Sequence, residues 1–200
     1  MKTIILDNGH GFNTAGKRSP QWADLDQIYE GEYSRKIVAK LVPMLRASGI
    51  DVRVLVPEEN DISIADRSRR ANAIANEVGR TECLLVSIHL NAAQNPNQGT
   101  GWEVHTYLGD SRSDKFADIF WEHARRHLEP RGFKMRGDFS DGDKDWDSNY
   151  GILRKTVCPA LLTENLFMDN HHDCEFLLTE EGLNTIVRLH YDAIIEIFNK

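Results

Sequence analysis

The chain has 200 residues, with 24 lysines and arginines against 31 acidic residues and a net charge of −7. A chain of this length builds a core without disulfides or a structural metal, and 40% hydrophobic with 28% charged residues excludes disorder and low complexity. The acidic balance excludes a non-specific nucleic-acid binder, and Cys83, Cys158 and Cys174, dispersed and without a CxxC, make neither a disulfide frame nor a zinc ribbon.

Residues 2–7 read as an apolar strand that follows Met1 directly, too short for a signal-peptide core. No stretch approaches the ~20 apolar residues of a membrane span. The expectation is a cytoplasmic product, or one from which a leader has been trimmed. A polar loop over 8–29 leads to a helix over 30–48, with Ile37, Leu41, Met44 and Leu45 on one face and Gly49 as its stop. Residues 51–56 form a strand closed by Pro57, and 61–78 a helix entered through Ser63 or Asp61 as cap. Strands follow at 83–89 and 101–107, then a helix over 111–128 that turns Phe116, Ile119, Phe120 and Leu128 inward. A polar, irregular stretch covers 130–150, a further strand 159–163, and a last helix 180–198. Strands and helices alternate, and the strands are continuous apolar runs. That pattern predicts one α/β domain over 1–200, with a largely parallel central sheet and helices on both faces.

Three of the predicted strands deliver polar residues to one edge. The first ends in Asp7-Asn8-Gly9-His10, the third in His89, and the one at 159–163 in Glu164. Ligands of open α/β sheets bind at the carboxyl ends of the strands. Glu30, at the start of the first helix, opens on the same side. Two imidazoles and a carboxylate make a hydrolytic zinc site, and a second carboxylate nearby can carry the proton of the attacking water to a leaving amine.

These segments carry a family resemblance. Asp7-Asn8-Gly9-His10-Gly11, Ser87-Ile88-His89-Leu90-Asn91-Ala92 and the stretch from Cys158 through Glu164 to Phe167 resemble, in order, three motifs of the zinc-dependent N-acetylmuramoyl-L-alanine amidases, type 3. The resemblance implies Zn2+ on His10, Glu30 and His89, with Glu164 as catalytic base. Glu30 fits the family's helix register; Glu32, about 200° away around the helix, is the competitor. The implied reaction is cleavage of the amide between N-acetylmuramic acid and L-alanine in peptidoglycan or muropeptides. A chain without a visible leader would then meet the wall after lysis or export. Lys17, Arg18 and Arg154 are candidates to meet the carboxylates of a stem peptide. The segment 137–150 is expected to wall the cleft, with Trp146 or Tyr150 as an apolar contact. A zinc peptidase cutting another stem-peptide amide and a catalytically inactive wall-binding module are the competing functions.

Other clusters read as structural. Asp141, Asp143, Asp145 and Asp147 alternate like a calcium loop, but Trp146 and Ile152 stand where such a loop needs Gly and Glu. His123 and His127 lie one helical turn apart without an HExxH, as on a half-buried helix face. His171, His172 and Cys174 read as a helix cap and surface.

Overall fold

In the computed structural model, which describes residues 1–199, strand Thr3–Asn8 (β1) is buried at every position. Ile4 and Leu6 enter one apolar cluster and Ile5 the other, as alternation along a strand requires when both faces are covered. The remaining strands are Asp51–Val54 (β2), Cys83–Asn91 (β3), Trp102–Thr106 (β4), Trp146–Asp147 (β5) and Ala160–Phe167 (β6). They form one sheet in the order β2-β1-β3-β6-β4-β5. The first four strands of that order are parallel; β4 runs antiparallel to β6 and carries β5 parallel to itself. The α/β class and the largely parallel sheet thus agree with the pattern of apolar runs.

The helices are Glu30–Ala47 (α1), Ile64–Val78 (α2), Arg112–Leu128 (α3), Gly151–Lys155 (α4), His171–Leu178 (α5) and Glu180–Phe198 (α6). On one face α1, α3, α5 and α6 supply Ile37, Leu41, Phe120, Leu177 and Ile194 to the larger cluster. On the other, Ala71 and Ala75 of α2 and Ile152 and Leu153 of α4 cover Ile5, Leu85 and Leu162. Ser63 caps α2 by accepting from the Asp66 amide at 3.2 Å, while Asp61, the rival cap, is held by Arg67. Helix α4 has no counterpart in the sequence reading, and α5 forms where His171, His172 and Cys174 read as a helix cap and surface. No helix among the described residues is long and apolar enough to cross a membrane.

Two strands continue past their expected ends. β3 runs beyond His89 to Asn91 and β6 beyond Thr163 to Phe167, because the asparagines there find partners inside the sheet. Asn165 donates to the His89 carbonyl at 2.9 Å and accepts from the Trp102 indole at 2.8 Å. Asn91 donates to Glu103 at 2.7 Å. The pairing slips between His89 and Asn91, where β6 inserts one extra residue and Leu166 takes a left-handed φ of 67°. Glu164 therefore lies within β6, directly beside His89.

Below the end of β1, Arg67 and Asp7 form an ion pair at 2.6 Å, both side chains only 2% exposed. Replacing Arg67 by Met strands the Asp7 carboxylate and is expected to cost about 3–5 kcal/mol in urea unfolding. Adding Asp7→Asn to that variant restores part of the loss; an Arg67→Met chain of unchanged stability refutes this role for the pair.

Candidate metal centre

The loop after β1 is shaped by close approaches. A Cβ on Gly9 would lie 2.4 Å from the His89 ring, and one on Gly11 would lie 2.0 Å from the Asp61 amide nitrogen. Between them His10 adopts φ 58°, a left-handed conformation that costs energy for any residue with a side chain. Its carbonyl is gripped by Arg35 at 2.9 Å and Arg67 at 3.1 Å. That grip turns the imidazole toward α1 and β3.

There it meets Glu30 and His89. Glu30 Oε1 lies 3.4 Å from His10 Nε2 and 2.9 Å from His89 Nδ1, with the two imidazole rings edge to face at 5.0 Å. One ligand atom from each of the three residues falls within 4.8 Å of the others, a donor set for a divalent transition metal ion. Glu30 is 1% exposed, and its Oε2 has no hydrogen-bond partner, only the Lys17 ammonium at 3.8 Å. Glu32 is 44% exposed and engaged by Lys36 at 2.7 Å, so the first turn of α1 directs Glu30, not Glu32, to the cluster.

The ring of His89 is fixed from behind. Its Nε2 lies 3.1 Å from Ser87 Oγ, which donates to Asp7 Oδ2 at 2.6 Å, while Asp7 Oδ1 takes the Arg67 guanidinium. With the Ser87 hydroxyl committed to Asp7, Nε2 is the donor toward Ser87 and Nδ1 is the nitrogen free to bind a metal. Electrostatics agree. Burial opposes ionisation of Glu30, but the hydrogen bond and charge of His89, with His10 and Lys17, hold its pKa below the ordinary value. Burial likewise opposes the His89 cation, yet Glu30, followed by Glu164 and Asp7, raises it. His10 falls to about 4, chiefly through burial, so its imidazole is neutral and available as a ligand at neutral pH.

Glu164 and Glu103 continue the row that begins at His89. In the sheet register His89 pairs with Glu164 and Glu164 with Glu103, so the three side chains leave one face across β3, β6 and β4. Glu164 Oε2 is buried and has no partner. Burial raises the Glu164 carboxyl to about 8; His89 and Lys17 oppose that rise, and the charges of Glu30 and Glu103 add to it. Glu103 is anchored by Asn91, His105 at 3.2 Å and Arg136, whose guanidinium also lies 5.1 Å from the Phe167 ring centre. Tyr150 stands over His105 at 5.2 Å, while Trp146 belongs to the edge strand β5.

Asp7 and Ser87 entered the sequence reading only as motif residues, and Glu103, Arg136 and Arg67 escaped it. The one signal for them was the polar alternation of Glu103 and His105 inside β4. Of the three predicted cations, Lys17 reaches the cluster, and Arg18 lies along a shallow rim with Gln27, Ala92 and Ala93. Arg154 is not brought there. It sits in the last turn of α4, bonded to Asn149 at 2.8 Å, and lines a recess with Pro159 and Ala160 at the opposite end of β6.

A family model described as N-acetylmuramoyl-L-alanine amidase matches residues 4–196. The chain belongs to the N-acetylmuramoyl-L-alanine amidase family. It is 30% identical to the endolysin of Bacillus phage SPP1, over 99% of this chain and 66% of that protein. It is also 30% identical to the amidase CwlM of Bacillus licheniformis, over 100% of this chain and 70% of that protein. The chain thus spans about two thirds of the length of these relatives. The crystal structure of the amidase from Clostridium difficile 630 superposes with a TM-score of 0.83 at 25% identity, covering 100% of this chain and 97% of that one.

Within this amidase frame the Ser87 hydroxyl is the link that orients His89. Ser87→Ala is expected to weaken metal binding about 10–100-fold without unfolding the chain, read by chelator competition. Glu30→Gln should remove metal from the purified protein while Glu32→Gln retains it; the reverse result in metal analysis would assign the ligand to Glu32.

Proposed function

We propose that this chain cleaves the amide between the lactyl group of N-acetylmuramic acid and the L-alanine of the stem peptide, with Zn2+ held by His10, Glu30 and His89. The observation that carries the reading is the convergence of two imidazole nitrogens and the Glu30 carboxylate beside a half-buried Glu164 whose Oε2 is buried without a hydrogen-bond partner. Family membership supplies the substrate class, and the donor set, free of thiolates and rich in imidazole, suits zinc. When bound, zinc would supply Lewis acidity, lowering the pKa of water and stabilising negative charge on the scissile carbonyl oxygen.

The remaining work belongs to side chains of this chain. Glu164 takes a proton from the attacking water at its free oxygen and returns it to the departing alanine nitrogen. A carboxyl driven up to about 8, chiefly by burial with Glu30 and Glu103 adding to it, is suited to both directions of that transfer, and a nearby cation would bring it down toward the carboxylate form. Glu103 keeps negative charge beside Glu164 and is itself locked by Arg136 and His105. Lys17 and Arg18 lie on the side of the loop after β1, where they can meet stem-peptide carboxylates. The cytoplasmic origin of the chain and its action on the wall after lysis or export are part of the same proposal.

Glu164→Gln tests the assignment on two axes. Turnover of purified wall should fall by about 10²–10⁴-fold while metal content stays at the wild-type level. Digests by the wild type should release intact stem peptides from glycan; shortened stems alone would instead identify a peptidase. The second axis is the stability of the metal-free protein. Because the folded-state pKa of Glu164 is raised from 4.5 to about 8, the folded state loses stability as pH climbs between those values. The Tm of metal-free wild type should therefore drop more steeply over that range than that of Glu164→Gln, and parallel curves would exclude the buried-carboxyl assignment.

A further inference from the structure

Helices α3 and α6 pack through Phe120, Ala124, Leu128, Leu189, Ala193 and Ile197. At the solvent edge of that contact, each helix presents a pair of metal-ligating side chains one turn apart. His123 and His127 lie on α3, and Asp192 and Glu196 on α6. The pairs face each other in register: His123 Nε2 is 2.8 Å from Glu196 Oε2, and His127 Nε2 is 2.9 Å from Asp192 Oδ2. One ligand atom each from His123, His127 and Asp192 lies within 4.8 Å of the other two. None of these residues belongs to the cluster at the end of β1.

We propose that His123, His127, Asp192 and Glu196 form a second site, for a first-row divalent transition metal ion that staples α3 to α6. Two imidazoles and the Asp192 carboxylate make a zinc donor set, and Glu196, paired with His123, would be the fourth protein ligand of a closed structural site. The exchange balances: each imidazole binds the ion through Nε2 with its ring proton carried on Nδ1 instead, and the carboxylates that now accept from Nε2 turn to the ion and offset its charge. The ring nitrogens and carboxylate oxygens are already side by side, so closing around an ion requires side-chain rotation within an existing helix contact. Arg188 competes for Asp192, with its Nε 2.9 Å from Asp192 Oδ1. It is more than half exposed and lies 5.2 Å from the Tyr191 ring centre, a resting place that survives when Asp192 turns to a metal.

Equilibrium dialysis of the full chain against Zn2+, with metal counted by plasma emission, tests the site. The wild type is expected to bind one more equivalent than His127→Gln, whatever the occupancy of the other cluster, because only the difference between the two chains is read. Asp192→Asn, which keeps the side-chain volume, should lose the same equivalent or bind it at least about tenfold more weakly. In a His10→Ala background, added Zn2+ should raise the Tm, and the rise should vanish when Asp192→Asn is added. Equal zinc content in wild type and both variants, or a Tm rise that survives Asp192→Asn, would reduce the four residues to a pair of interhelical hydrogen bonds.

Discussion

A guanidinium buried at the end of the first strand organises the centre. Arg67 places one arm on Asp7 and the Asn8 carbonyl and the other on the His10 carbonyl and Asp61, while its Nε donates to the Ile62 carbonyl. Five acceptors satisfy one buried cation, which is the condition under which such a charge is tolerated away from water. Its position has two consequences. The grip on the His10 carbonyl holds the residue in its left-handed conformation. The charge on Asp7 passes through Ser87 to the far nitrogen of His89. One arginine on α2 thus reaches both histidines, His10 on the loop after β1 and His89 on β3.

The site is acidic beyond what its own cations balance. Glu30 and Glu103 stand close enough to Glu164 for their charges to raise it, and Lys17 lies 3.8 Å from Glu30. Arg136 is spent on Glu103 and Arg67 on Asp7. Glu30 Oε2 and Glu164 Oε2 are left buried without hydrogen bonds. Buried carboxylate oxygens in that condition are costly, and a divalent cation is the species that relieves several of them together. Without one, burial pushes the Glu164 carboxyl up to about 8, and Glu30 raises His89 against its own burial.

Much of this was readable along the chain. His10, His89 and Glu164 could be found because each follows an apolar run, and such runs in an α/β pattern point their carboxyl ends at a common edge. Glu30 could be found because α1 starts at an acidic residue and its core face is periodic. The supporting charges were hidden for a physical reason. Arg67 lies in the run Arg67-Ser68-Arg69-Arg70, whose composition is that of a solvated helix face, and only the packing of α2 against β1 buries the first arginine while leaving Arg69 in water. Arg154 failed in the opposite way. Its segment forms a five-residue helix, too short to show a period, and that turn carries the side chain to the far end of β6.

The reversal of β4 was equally invisible, since a single strand does not encode its direction, yet it shapes the chemistry. In an all-parallel sheet the neighbour of Glu164 would come from another βαβ crossover. Antiparallel pairing instead lays Glu103 beside Glu164 and brings His105, Tyr150 and Arg136 along with it. The bulge at Leu166 falls immediately after Glu164, so the strand bends away once it has delivered that carboxyl. Asn165 ties the same stretch to the His89 carbonyl and to Trp102. The alignment of His89, Glu164 and Glu103 across three strands is therefore a property of the hydrogen-bonded ladder, which is stiffer than any loop. A loop after β1 positions His10 and needs an arginine clamp; Glu164 needs none, because the sheet itself holds it beside His89.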